Sequence, residues 1–120
     1  MIVPGLVLWV RHPPYTSAHL TEAIRIMAMT TALGVPVRCL FMGEGVRALV
    51  QGQEPYLLGP PLERLLVEIV TPESPALVHQ ASLKLRDLGP ARLTSSLPWV
   101  PADDRSVAEA LVSADRVVPL

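Results

Sequence analysis

A short, uninterrupted apolar run near the start of the chain constrains the fold more than any other feature. Leu6 to Val10 contains no charged residue, and Pro13 and Pro14 follow shortly afterwards. A strand with one face in water alternates apolar and polar residues, so a continuous run predicts a strand that is buried on both faces. Strands of this kind belong to parallel sheets with helices on both sides. We therefore predict an α/β fold with this strand in the interior of the sheet.

The rest of the chain alternates between helical and extended patterns. Apolar residues recur at helical spacing up to Gly34, which predicts a helix over 17–33 with Thr16 or Ser17 as its cap. In the next extended segment, Val37, Cys39 and Phe41 share one face, and Arg38, Leu40 and Met42 share the other. The predicted extended segments are 35–42, 75–79, 92–95 and 115–118. The further predicted helices are 46–50, 81–88 and one that follows a cap at Asp103 or Asp104, with Val107, Ala108, Ala110 and Leu111 on its inner face.

Three segments between these elements carry weaker patterns. Residues 62–70 have the composition of a strand, yet Leu62, Leu65, Leu66 and Ile69 have helical spacing and Pro61 suits a first helical turn. We favour a helix there, and a strand remains the alternative. Residues 51–61 are predicted to be an irregular loop, and 97–101 a loop anchored by Trp99.

Alternating strands and helices imply right-handed crossovers. The expected architecture is a three-layer α/β/α sandwich of the flavodoxin-like class, with a mainly parallel sheet of about five strands. A chain of 120 residues is too short to divide into two well-packed cores. We therefore expect residues 1–120 to form one domain.

Composition limits the classes of function. Half of the residues are apolar and 18% are charged, which leaves apolar surface for an oligomer. A net charge of −1 without any basic run argues against direct binding to nucleic acid. The apolar N-terminus lacks basic residues and is shorter than the roughly 20 residues of a membrane span, so we expect neither a signal peptide nor membrane insertion.

Cysteine and histidine usage indicates neither a metal centre nor a disulfide framework. Cys39 is the single cysteine of the chain, which is typical of a protein from a reducing compartment and predicts a cytoplasmic location. His12, His19 and His79 are too scattered for a metal motif. We find no nucleophile elbow, metalloprotease motif or carboxylate pair, and therefore expect no metal, no cofactor and no independent catalytic activity.

Four stretches of the sequence resemble the DsrE/DsrF/TusC-like family of small sulfur-relay proteins, and its TusC/DsrF branch most of all. The resemblance extends over nearly the whole chain. The stretches are Arg11-His-Pro-Pro-Tyr15, Leu40-Phe-Met-Gly-Glu-Gly-Val46, Ala48-Leu-Val-Gln-Gly-Gln-Glu-Pro55 and Val78-His-Gln-Ala-Ser-Leu-Lys-Leu-Arg-Asp-Leu-Gly89.

The resemblance implies a role in passing sulfane sulfur between protein cysteines, as in tRNA thiolation or sulfur oxidation. It also implies assembly, either as a homotrimer or hexamer or as a hetero-oligomer with DsrE/TusD-like subunits. In the sulfur-carrying subunits a cysteine lies where the strand before Ala-Ser-Leu meets its helix, and here that position holds His79. The resemblance therefore implies an accessory subunit without the usual carrier cysteine.

Two alternatives remain open at the level of sequence. Cys39 is a possible carrier, although its place between Val37 and Phe41 is more typical of core packing. The chain is alternatively a homo-oligomeric module that binds a small ligand or anion at the carboxyl edge of the sheet. The candidate ligand-binding residues are Arg11, His12, Ser17, Gly43 and His79. The segment Gly43-Glu-Gly45 lacks the spacing of a phosphate-binding loop and is predicted to be a turn.

Overall fold

Five short strands of the chain form a single parallel sheet in a computed structural model. The structure describes residues 5–14, 18–51 and 62–120. The strands are β1 (Leu6–Val10), β2 (Val37–Phe41), β3 (Ala76–His79), β4 (Trp99–Ala102) and β5 (Arg116–Pro119). The helices are α1 (Ala18–Ala32), α2 (Leu62–Leu66), α3 (Gln80–Leu85) and α4 (Asp104–Ser113), and short 3₁₀ helices span Gly43–Leu49 and Pro90–Arg92.

The strands lie side by side in the order β4-β3-β2-β1-β5, and every neighbouring pair is parallel. The apolar run that becomes β1 is hydrogen-bonded on both sides, since Leu8 is in register with Cys39 of β2 and with Val118 of β5. Its interior position in the sheet, predicted from the absence of polar alternation, is confirmed.

Helices cover both faces of the sheet, but they do so unequally. On one face Leu8, Phe41 and Val78 pack with Ile24 of α1 and Leu66 of α2. On the other face Val7, Leu40 and Leu77 pack against Val107 and Ala110 of α4. The three-layer, flavodoxin-like architecture is confirmed.

The residues that separate the two faces of β2 are those that the alternation predicts. Val37, Cys39 and Phe41 belong to the larger core, whereas Leu40 and Met42 belong to the core beneath α4. The helix predicted over 17–33 is α1, and Gly34 adopts a φ of +90°, which is suited to the residue that ends a helix.

Two predictions around the fourth strand are wrong. Residues 97–101 are not a loop, because Trp99 to Ala102 form β4 and pair with β3. β4 is an edge strand, and Ala76 N–H donates to the carbonyl of Pro98, so strand alternation directs the nitrogen of Pro101 away from β3. The proline that argued against a strand therefore removes no ladder bond.

The predicted strand over 92–95 is also wrong. Pro90–Arg92 form a 3₁₀ turn, and Leu93 makes only an isolated antiparallel bridge with Val50. Leu93 and Thr94 are both buried, so the segment packs into the core without forming a strand.

The remaining helices differ from the predictions mainly at their ends. The helix favoured for 62–70 is present as α2, and turns replace it after Leu66. The helix predicted over 46–50 is a 3₁₀ helix that begins earlier, at Gly43. The helix predicted over 81–88 is α3, which ends at Leu85 shortly before Asp87 adopts a φ of +52°.

The last helix and strand follow the sequence pattern closely. Val107 and Ala110 of α4 are buried, but Ala108 is exposed, so its assignment to the inner face is wrong. β5 falls within one residue of the predicted segment 115–118. The proposed caps Thr16 and Ser17 and the loop from 52 to 61 lie outside the described residues. Within the described residues, no helix has the length and apolar character needed to cross a membrane.

Candidate functional site at the carboxyl edge of the sheet

The connections after β3 and β4 leave the sheet in opposite directions. The chain leaves β3 into α3, which packs with the larger core through Leu83, whereas it leaves β4 into α4 on the other face. The carboxyl ends of two such neighbouring strands form a topological switch point, where open α/β sheets place their binding sites. His79 ends β3 and Asp104 begins α4, so both residues lie at this point.

Both ring nitrogens of His79 have hydrogen-bonding partners. Nδ1 lies 2.7 Å from Ser82 Oγ, and Nε2 lies 2.7 Å from Asp104 Oδ1. The His79 side chain is 9% exposed and Ser82 is 4% exposed, whereas the Asp104 side chain is 90% exposed. The histidine therefore connects a buried hydroxyl to a carboxylate at the surface.

The backbone of Gly43 fixes the direction of this hydrogen-bonded chain. Gly43 N–H donates to Ser82 Oγ over 2.8 Å, so the hydroxyl proton is free to point at His79 Nδ1. His79 then carries its own proton on Nε2 and donates it to Asp104, an assignment that follows from the network. The imidazole therefore connects β3 directly to α4 through Asp104, and it connects β3 to Gly43 through the hydroxyl of Ser82.

A second set of contacts connects α3 to the 3₁₀ helix after β2. Arg86 donates from Nε to Glu44 Oε1 and from a terminal nitrogen to the carbonyl oxygen of Ser82, each over 3.1 Å. Glu44 also accepts a hydrogen bond from Arg47. The guanidinium groups of Arg47 and, to a lesser degree, Arg86 lower the pKa of the Glu44 carboxyl.

Two other predicted ligand-binding residues, Arg11 and His12, lie around the same edge with different surroundings. The Arg11 guanidinium lies 4.5 Å from the ring centre of Trp9, a cation–π arrangement, and the backbone of Arg11 runs beside Gly43. Arg11 and His12 are both exposed. Ser17 lies outside the described residues. The structure thus brings Gly43 and His79 together through Ser82, and it shows no hydrogen bond from the side chain of Arg11 to either.

Cys39 lies in the middle of β2, far from any open surface. Its side chain is 1% exposed and belongs to the larger core with Val37 and Phe41. Burial raises the pKa of the Cys39 thiol to about 12, because the thiolate would lose its hydration there. A thiol in this state is neither ionised nor accessible at neutral pH.

Sequence reasoning missed most of the partners of His79. Ser82 follows it at a spacing of three residues, the spacing at which two helical residues share a face, and that signal was available. Asp104 was considered only as a helix cap, but Asp103 takes that role by accepting from Ser106 N–H at 2.8 Å. Two adjacent aspartates are therefore divided between a cap and the histidine. Among the described residues, no group of three acidic, histidine or cysteine side chains could hold a metal ion.

Comparisons with known proteins agree on the family and the fold. A structure titled as the ychN protein from E. coli, one of seven matching chains of solved structures, superimposes with a TM-score of 0.82 at 19% identity, covering 98% of this chain and 100% of that one. Comparison with curated proteins gives no match. The model of the DsrE/DsrF-like family matches residues 5–120. The chain belongs to the DsrE/DsrF-like family.

Proposed function

We propose that this chain is an accessory subunit of a sulfur-relay assembly and does not itself carry sulfur. A persulfide carrier needs a thiol that a partner can reach and that ionises near neutral pH. Cys39 is the only cysteine in the sequence, and it is buried in the core with a pKa of about 12. This single observation carries the proposal.

The carboxyl end of β3 supports the same proposal. The resemblance to the family implies that the cysteine of the sulfur-carrying subunits corresponds to His79, the last residue of β3 before α3. An imidazole cannot hold a persulfide sulfur. The two hydrogen bonds of His79 connect β3 to α3 and α4, which supports a structural role for this position.

An accessory subunit acts through its partners, so the proposal requires an oligomer. Ile26, Met29 and Leu33 of the first helical region are 54%, 66% and 84% exposed, and their spacing places them along one side of α1 and its C-terminal extension. Apolar side chains in such a row support association with other subunits, either copies of this chain or DsrE/TusD-like relatives. Native mass spectrometry tests this part, and a monomer at all concentrations would contradict it.

The decisive experiment compares thiol chemistry at two positions of the chain. The wild-type protein and the double variant Cys39→Ala/His79→Cys are incubated with a polysulfide donor under native conditions, and intact masses are recorded. We expect no gain of sulfur by the wild type. We expect a gain by the variant, because the shorter cysteine side chain leaves the space of the imidazole open towards the exposed side chain of Asp104. The double variant Cys39→Ala/Leu85→Cys is the control for exposure alone, because Leu85 lies in α3, the helix that follows His79, and is 84% exposed.

The alternative of a small-ligand or anion site at this edge makes a different prediction. If Arg11, His12, Gly43 and His79 bound an anion, phosphate or sulfate would raise the melting temperature of the wild type but not that of Arg11→Gln. The engagement of both His79 nitrogens favours the accessory subunit over this alternative.

A further inference from the structure

A cleft lies at the other end of the sheet, at the amino ends of β1 and β2 beneath the last turns of α4. Its volume is about 380 Å³, within the range of small-molecule sites in proteins. It shares no residue with the hydrogen-bonded network around His79. A ligand in this cleft would therefore act independently of the carboxyl edge.

The walls of the cleft are mostly apolar and small. Val7 contributes from β1, and Ala110 and Ala114 contribute from α4. Walls of this kind suit an aliphatic group, because they offer apolar contact.

Two opposite charges also line the cleft. Arg38 and Glu73 are both exposed, and neither side chain forms a hydrogen bond or ion pair with any residue that the structure describes. This contrasts with Glu44 and Arg86, which are paired with each other at the carboxyl edge. Arg38 thus retains a guanidinium fork that can bind a carboxylate with two hydrogen bonds, and Glu73 retains a carboxylate that can accept from an ammonium group.

We propose that this cleft binds a small zwitterion with an aliphatic body, of the class of the apolar α-amino acids, with its carboxylate on Arg38 and its ammonium group on Glu73. A simple anion would gain from Arg38 but meet the like charge of Glu73, and a simple cation would meet the reverse. A zwitterion satisfies both charges while its side chain contacts Val7, Ala110 and Ala114.

The ligand class is tested by calorimetric titration of the wild-type protein with three probes that share one aliphatic body. The probes are L-leucine, 4-methylpentanoate, which lacks the amine, and isoamylamine, which lacks the carboxylate. We expect L-leucine to bind and each single-charge analogue to bind at least about tenfold more weakly, because each leaves one charged residue unpaired. Absence of saturable L-leucine binding, or equal binding of either analogue, overturns the proposal.

Variants then locate the site. Arg38→Gln and Glu73→Gln should each weaken L-leucine binding by about tenfold or more. Ser113→Phe should abolish it by filling the cleft from its exposed position on α4. Arg105→Gln is the matched control, since Arg105 lies on the same helix, outside the cleft, and pairs with Glu109. L-leucine binding that survives the three cleft variants, or that Arg105→Gln weakens equally, would contradict the assignment.

Discussion

The two ends of the sheet treat charge in opposite ways. At the carboxyl edge His79 bridges Ser82 and Asp104, and Arg86 connects Glu44 to the backbone of α3. At the amino edge Arg38 and Glu73 border a cleft, and their side chains have no hydrogen-bonding or ionic partner among the described residues. The family resemblance implies sulfur chemistry at the carboxyl edge, but the side chains there are hydrogen-bonded to one another. The amino edge instead has unpaired charged side chains that are available to a ligand.

This difference has a cause in the chain. At the carboxyl edge four elements converge, and each supplies one group to the network. They are the end of β3, α3, the start of α4 and the 3₁₀ helix that begins at Gly43. His79 is buried, and a ligand could reach either of its ring nitrogens only by replacing one of these hydrogen bonds. The network therefore connects the elements of this edge to one another.

The largest effect is expected from Gly45→Ala, which disturbs the carboxyl edge at its tightest point. A Cβ atom on Gly45 would lie 2.1 Å from the carbonyl oxygen of Val10, and both the end of β1 and the 3₁₀ helix would have to move. We expect a loss of about 4 kcal/mol or more in the free energy of unfolding, measured by denaturant titration. Gly89→Ala is the control, because open space surrounds that position. Equal stability of the two variants would show that the edge is loosely packed.

A smaller loss is expected from Ser82→Ala. The substitution leaves Gly43 N–H and His79 Nδ1 without partners in a buried region, which costs about 1–3 kcal/mol. Ser113→Ala at the amino edge is the matched control, and we expect it to change stability by less than about 0.5 kcal/mol because Ser113 is exposed. If the two variants lost the same free energy in denaturant titrations, the contrast between the two edges would be wrong.

The smallest effect is expected from Glu44→Gln, and only in acid. Pairing lowers the pKa of Glu44 below its ordinary value of 4.5, so this carboxylate stabilises the fold above pH 4.5. The stabilisation is lost as the pH falls through the lower pKa of the folded state. Between pH 6 and the acid range below pH 4.5, the melting temperature of Glu44→Gln should therefore depend less on pH than that of the wild type. Glu73→Gln, which breaks no ion pair, should follow the wild type, and an identical profile for all three proteins would refute the expectation.

The sequence predicted the sheet better than it predicted the site. Continuous apolar runs and strict alternation in β1 and β2 fixed their faces, because these patterns follow from burial alone. β4 was missed because Pro98 and Pro101 normally indicate a loop, and only the position of that strand at the edge makes Pro101 harmless.

The network around His79 depends on contacts between distant segments. Gly43 and Ser82 are 39 residues apart, and His79 and Asp104 are 25 residues apart, so no local spacing indicates either contact. Local patterns predicted that His79 ends a strand, but the order β4-β3-β2 is needed to place α4 beside it.

Sulfur uptake by the folded protein is the direct test of whether this chain carries sulfur. The native wild-type protein is exposed to a cysteine desulfurase with cysteine, and its intact mass is followed, with a sample unfolded in denaturant and treated with polysulfide as the positive control for Cys39. Because Cys39 is buried, we expect an unchanged mass for the folded protein and sulfur on Cys39 only after unfolding. Uptake of one sulfur atom by Cys39 in the folded protein would show that the chain is a carrier after all.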